Sequence, residues 1–149
     1  MTAIATLLSD FEILDDWEDR YRHVIDLGRD LPDLPPQDHT PKNKVMGCAS
    51  QVWITTHVGG SADDPVLTFQ GDSDALIVKG LIAIAFMIYS ARPARAIVAT
   101  DAAPLLEKLG LRDHLTPQRS NGFAAMIQRI KADAAKALQA SSSLGIAGR

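Results

Sequence analysis

The chain has 149 residues, 46% of them hydrophobic and 22% charged, with a formal net charge of -3. That length fits one compact domain able to bury roughly 68–70% of the surface its unfolded form exposes, so folding needs neither disulfide nor metal. The mild acidity leaves no general basic footprint for nucleic acid, one cysteine cannot build an internal disulfide or a thiolate zinc centre, and His23, His39, His57 and His114 show no ligand spacing.

The first residues, MTAIATLLSDFE, lack the basic start and apolar core of a signal peptide. They read as a short helix, around Ala3 to Ile13. A second helix follows DDWEDRYRHVIDLGRDLP, where Trp17, Tyr21, Val24 and Leu27 or Gly28 recur at helical spacing and mark a core-facing stripe. Asp15, Asp16, Glu18 and Asp19 crowd its first turn. Acids there complement the helix dipole, each worth roughly 0.3–1 kcal/mol, and that reading outweighs a cation site. Residues 32–41, PDLPPQDHTP, contain four prolines and form a loop. KNKVMGCASQVWI (42–54) then holds the only cysteine, with a short strand expected around Lys44 to Met46. From Ser50 the pattern has period two. Val52, Ile54, Thr56 and Val58 line one face of a strand, and Gln51, Trp53, Thr55 and His57 the other. GGSADDP is a turn, and VLTFQ (66–70) pairs back as the second strand of an antiparallel hairpin.

GDSD offers a helix start, with Asp72 or Ser73 as cap. ALIVKGLIAIAFMIYSA (75–91) is apolar on nearly all sides and predicts the central buried helix. Lys79 and Gly80 interrupt it, and it falls short of the ~20 apolar residues of a membrane span. Lys79 is expected to reach the surface along a buried stem. Pro93 suits the first turn of a short helix over 93–99, and another runs from near Pro104 to a C-cap at Gly110. The last helix is expected from Gly122 to Leu138, burying Phe123, Met126, Ile127, Ile130 and Ala134. Residues 1–140 then make one domain and 141–149 a flexible tail. Helices, a small antiparallel sheet and more helices define an α+β fold, with the helices packed on one face of the sheet. With no signal peptide and no span, a soluble cytoplasmic protein is expected.

A lone cysteine is often a small buried hydrophobe, and composition leaves that and a working nucleophile both open for Cys48. Gly47 permits a turn that carries the thiol to a strand end. The proline-rich approach is a surface loop, where reactive residues favour sitting. No histidine is close in sequence, no cysteine-protease signature is present, and the absence of CxxC excludes exchange within one motif. The chemistry that needs one thiol and little else is sulfur transfer. A thiolate takes the outer sulfur of a persulfide on another protein and becomes Cys–S–SH. A second cysteine nearby would attack that persulfide and release sulfide.

The stretches DDWEDRYRHVIDLG (15–28), NKVMGCASQVWI (43–54), GDSDALIVKGLIAI (71–84), LGLRDHLTPQRSNG (109–122) and AMIQRIKA (125–132) resemble the SufE family. These proteins are sulfur acceptors for cysteine desulfurases in iron–sulfur cluster assembly. The resemblance runs from Phe11 to about Lys131, and GCxSQVW followed by SDAxIVKGLI is its specific combination. It implies an α+β sandwich shared with IscU-type scaffold proteins. The scaffolds' other cysteines are missing, so a carrier is implied and not a scaffold, with no metal or cofactor of its own. Pyridoxal phosphate belongs to the partner, a SufS-like cysteine desulfurase, which this protein would stimulate. Cys48 would carry the sulfur as a persulfide and deliver it to a SufBCD-like scaffold complex. No nucleic acid or membrane partner is implied, and a monomer or weak homodimer is expected.

The resemblance also implies that the free protein shelters Cys48 in an apolar hollow. Arg119, in TPQRSNG, falls at a position implicated in docking to the desulfurase. Asp74 either caps the central helix or sets the mobility of the cysteine loop. Gly47 and Gln51 are expected to support the thiol site, Trp53 either shapes its floor or is plain packing, and nothing marks His39 or His57 as a base. Two other readings are a non-covalent adaptor that activates the desulfurase without carrying sulfur, and a stand-alone thiol enzyme.

Overall fold

The computed structural model describes the backbone of residues 3–147 and the side chains of residues 3–140. Its elements are α1 (Ala3–Ile13), α2 (Trp17–Arg29), β1 (Val52–Gly60), β2 (Pro65–Ser73), α3 (Leu76–Tyr89), β3 (Arg92–Pro93), α4 (Ala94–Ala99), α5 (Ala103–Leu109), α6 (Leu111–His114) and α7 (Pro117–Ala147). The fold is α+β, a three-stranded antiparallel sheet in the order β1-β2-β3 with helices around it.

Local chemistry explains most element ends. Asp16 caps α2, accepting the Glu18 N–H at 3.0 Å, so one of the crowded acids has a defined capping role. Along α2, Val24 and Gly28 are buried while Trp17, Tyr21 and Leu27 pack at the core's edge. In the hairpin, Val52 lies opposite Ser73 and Gly60 opposite Pro65. Leu67 and Phe69 are buried between exposed Thr68 and Gln70, the alternation of a sheet with one face covered. The strand expected around Lys44 to Met46 shrinks to a bridge between Lys44 and Trp53, held by Val45 N–H to Val52 O and Asn43 O to Ile54 N–H, both 2.8 Å.

Three expectations need correction. Asp72 and Ser73 do not cap α3: they end β2, and the cap position is Ala75, whose N–H donates to the Ser73 hydroxyl at 3.2 Å. Pro93 does not lie inside a helix. Ala91 turns the chain with φ 60 and donates its N–H to Leu67 O at 2.8 Å, which makes Arg92–Pro93 a short edge strand beside β2. An edge is where a proline's missing donor is tolerated. The last helix starts at Pro117, not Gly122, because the Thr116 hydroxyl accepts the Arg119 N–H at 3.3 Å and proline suits the first helical position. The helix also runs beyond Leu138, to Ala147. For the tail expected over 141–149, the side chains and the last two residues lie outside the described residues. Gly110 caps α5 as expected, in the left-handed region at φ 70, and the short α6 follows it.

The core centres on α3, where Val78, Leu81, Ile82, Ile84 and Ile88 are buried. Contact with α2 is unusually close. A Cβ on Gly80 would stand 2.1 Å from the Val24 carbonyl oxygen, and one on Gly28 would stand 2.5 Å from Gly80 N. Glycine at both positions lets the two backbones touch. From α7, Phe123, Met126, Ile130 and Ala134 are buried in the same core, with Ile127 half-buried. Among the described residues no helix is long and apolar enough to cross a membrane.

Candidate functional site

The cysteine lies on a short loop fixed at both ends. Upstream, the Val45 and Asn43 backbone bonds tie it to β1, and the Asn43 amide donates to Asp38 O at 2.9 Å. The Arg129 guanidinium of α7 donates to the carbonyls of Lys42 (3.2 Å) and Lys44 (3.5 Å). Downstream, the Gln51 N–H donates to the Asp74 carboxylate at 3.1 Å. Of the two roles considered for Asp74, the geometry therefore shows a tie to the cysteine loop, with no helix cap. Gly47 takes φ 93, a conformation that needs glycine, and a Cβ there would stand 3.4 Å from the Ala125 Cβ of α7.

This turn delivers Cys48, half-buried, against α7, where the S–H donates to Gly122 O at 3.5 Å. The thiol opens into a cavity of about 220 Å³. Val78 and Leu81 of α3 and Met126 of α7 give it an apolar side, and Thr116, Gln118 and Arg119 a polar one. Burial pushes the Cys48 thiol above the ordinary cysteine range. Arg119 lines the same cavity, but its guanidinium lies over the Tyr21 ring of α2, 5.8 Å from the centroid. The resting site thus favours the protonated thiol.

Gln51 and Trp53 are not among the cavity's lining residues. The Gln51 side chain is exposed, and Trp53 lies on the outer sheet face beneath the His39 ring, centroids 4.6 Å apart. His39 Nε2 is 2.8 Å from Asp72, whose other oxygen is 3.5 Å from Lys79 Nζ. Lys79 is thus paired rather than free at the surface. The Asp72 hydrogen bond raises the His39 pKa. Burial pushes Asp72 upward, but its bonds to His39 and the Ser73 N–H, with the Lys79 charge, outweigh that and leave it below its ordinary value. His57 is exposed. Sequence reasoning missed Val78 and Leu81 of α3, and Thr116, Gln118, Gly122, Met126 and Arg129 at the last helix and its cap, as residues of the site. The only signal for them was helical spacing within each element.

Two large apolar side chains remain outside near the loop's ends, Met46 at 78% and Leu76 at 57% exposure. A larger cavity, about 310 Å³, lies between α5–α6 and α7, with Leu106, Leu115 and Phe123 in its wall, but neither thiol nor imidazole lines it. Among the described residues no cluster of His, Cys, Asp and Glu is arranged to hold a metal ion.

An α+β domain with one loop-borne thiol, set in a hollow between the central and last helices, is the class that fold and site define. The chain belongs to the SufE family: the family's sequence profile, described as an Fe-S metabolism associated domain, matches residues 5–134. An uncharacterized SufE-like protein of Rhizobium etli is 52% identical over 134 residues, 90% of each chain. Another, of Rhizobium meliloti, is 52% identical over 134 residues, 90% of this chain and 96% of that protein. The solution structure of a hypothetical protein from Thermus thermophilus shares the fold, with a TM-score of 0.72 at 20% identity over 91% of this chain and 96% of that one.

Proposed function

We propose that this protein is a sulfur acceptor and carrier for a pyridoxal-phosphate-dependent cysteine desulfurase, and that it stimulates that enzyme. The observation that carries the reading is a single thiol, in a chain of the SufE family, held in a hollow on a doubly anchored loop. The Cys48 thiolate attacks the outer sulfur of the partner's persulfide. A new S–S bond forms at Cys48, the old one breaks, and the partner's cysteine leaves as a thiolate. Cys48–S–SH then delivers its sulfur to an iron–sulfur scaffold complex of the SufBCD type.

The elevated thiol pKa gives docking a chemical task. The buried thiol is a poor nucleophile, so the partner must draw the loop out, or bring a base to take the proton. Met46, Leu76 and Arg119 offer the partner two apolar contacts and a cation around that loop. No cofactor or metal of this chain takes part, and the protein works in the cytoplasm as a monomer or weak homodimer.

The test is intact-protein mass spectrometry of the full chain with a SufS-type desulfurase and L-cysteine. A mass gain of one sulfur atom is expected on Cys48 and none in Cys48→Ser. Normal sulfur acceptance by that variant would falsify the proposal. The exposed Met46 and Leu76 also suit a second reading, an adaptor that activates the desulfurase by contact alone. Undiminished stimulation by Cys48→Ser, with no mass gain on the native chain, would establish that instead.

A further inference from the structure

We infer that Arg129 is a positioning residue for the thiol: its guanidinium closes the open edge of the segment feeding the cysteine loop, and so sets how deep Cys48 sits. The functional meaning rests on Cys48 being the sulfur-accepting thiol. The burial itself is measured without any partner.

The segment 43–45 pairs with β1 through Asn43 O and Val45 N–H. In an extended chain successive carbonyls point to opposite sides. The Lys44 carbonyl therefore points away from β1, where a further strand would lie, and the Lys42 carbonyl belongs to the turn just before it, in which the Lys44 N–H donates to Thr40 O and Pro41 O. Arg129 takes that place and donates to both carbonyls, Lys44 at 3.5 Å and Lys42 at 3.2 Å. Its own position is fixed one helical turn on. Nε lies 3.3 Å from each carboxylate oxygen of Asp133, and Asp133 accepts the Thr56 hydroxyl of β1 at 2.6 Å. The Arg129 and Asp133 side chains are only 27% and 21% exposed, so their mutual pairing is partly shielded from water, while the two bonds to the loop carbonyls lie at the exposed rim.

The same helix face carries the other half of the device. Gly122, Met126, Arg129 and Asp133 follow at spacings of three and four, which is one side of α7. Gly122 accepts the thiol's hydrogen bond, Met126 lines its hollow, and Arg129 grips the chain four and six residues before the cysteine. About 10 Å of rigid helix separates the first of these from Arg129. The distance between the grip and the thiol's seat is thus set by one element. Asp74 holds the far side of the loop at Gln51. Freeing Arg129 leaves the loop with its local backbone pairing upstream and Asp74 downstream. Lysine is no substitute, because one ammonium cannot reproduce a planar fork spread over two carbonyls and a carboxylate.

The experiment is alkylation of Cys48 by neutral iodoacetamide in the full chain, without partner, as a function of pH. The plateau at high pH, where the thiol is ionised, reports access separately from any change in pKa. Arg129→Ala is expected to raise the plateau about tenfold, the factor one hydrogen bond to a charged group can supply. Arg129→Lys should raise it about fivefold or more, since it loses the fork and keeps the charge. Arg129→Gln serves in place of the alanine variant if that one does not fold. Thr56→Val removes a bond from the same network while leaving the guanidinium on the loop, and should stay within about twofold of native. Amide exchange over residues 42–51 should accelerate in the Arg129 variants alone. An unchanged plateau in the Arg129 variants, or an equal rise in Thr56→Val at a matched loss of Tm, overturns the inference. Failure of sulfur loading would sink the carrier reading and leave this result standing.

Discussion

Gly80→Ala sets two effects of opposite sign against each other. Alanine in a helix interior is favoured over glycine by about 0.8–1.0 kcal/mol. Against that, the new Cβ would stand 2.1 Å from the Val24 carbonyl oxygen and 2.7 Å from a Val24 methyl, well inside the 3.4 Å at which ordinary contact begins. The nearer atom belongs to backbone and cannot rotate away, so α2 and α3 must separate by about 1 Å or more. Forcing atoms into a packed core costs typically about 1–3 kcal/mol, and a backbone clash this deep belongs at the upper end. The net expectation is a loss of about 1–2 kcal/mol, or roughly 2–8 °C in Tm for a chain of this size. Urea denaturation measures it, with the midpoint falling while the slope is unchanged. Val78 and Leu81 line the thiol's hollow from the same helix, so Cys48 alkylation should quicken alongside. A Gly80→Ala protein as stable as native, or more so, would show that helix propensity wins and that the close approach is not tight.

Because burial holds the Cys48 thiol above its usual pKa, its alkylation rate in the free protein should still be climbing where an exposed cysteine, with a pKa of about 8.5, has levelled. A midpoint at or below the free value would contradict the buried site. The sign for stability follows from linkage. The folded state holds the thiol proton more tightly, so stability is lost as pH rises from the unfolded to the folded pKa of Cys48. For the His39–Asp72 pair, the raised histidine contributes fully below about pH 6.5 and loses its contribution as pH rises through its folded pKa. The lowered Asp72 contributes above its ordinary value of 3.8 and loses that as pH falls through its folded pKa. His39→Gln should therefore flatten the decline in urea midpoint above pH 6.5, and an unaltered pH profile would rule the pair out as its source. Thr55→Val should raise stability by about 1 kcal/mol, since the buried Thr55 hydroxyl finds no hydrogen-bond partner among the described residues. A loss in thermal melts would show that the hydroxyl is satisfied after all.

Much of the architecture is written in short-range patterns. The period-two alternation over Val52 to Val58 predicts β1, and the apolar run from Ala75 predicts the central helix. Gly110 announces the end of α5, and Gly47 before Cys48 permits the turn that the structure forms there with φ 93. Features that depend on distant partners were not legible. β3 exists because Ala91 reaches Leu67, a contact no local propensity encodes. Lys79 looks unpaired until β2 brings Asp72 beside it. Gln51 and Trp53 are close to the thiol in sequence, yet the same alternation puts them on the face opposite Val52 and Ile54. The residues that do surround the sulfur come from its own loop, from α3, and from α7 with Thr116 at its cap. Arg129 is 85 residues from Lys44 in sequence, a pairing that only the tertiary arrangement creates.

The register of the hairpin has a practical consequence. Its Val52–Ser73 end sits beside the cysteine loop, while its tip, Ser61 to Asp64, is eight paired positions further on. At about 3.3 Å per residue the tip stands some 26 Å from that end. A fluorophore or purification handle installed at the tip would ride on a stiff two-stranded lever, far from the sulfur, and could watch a partner arrive without obstructing it.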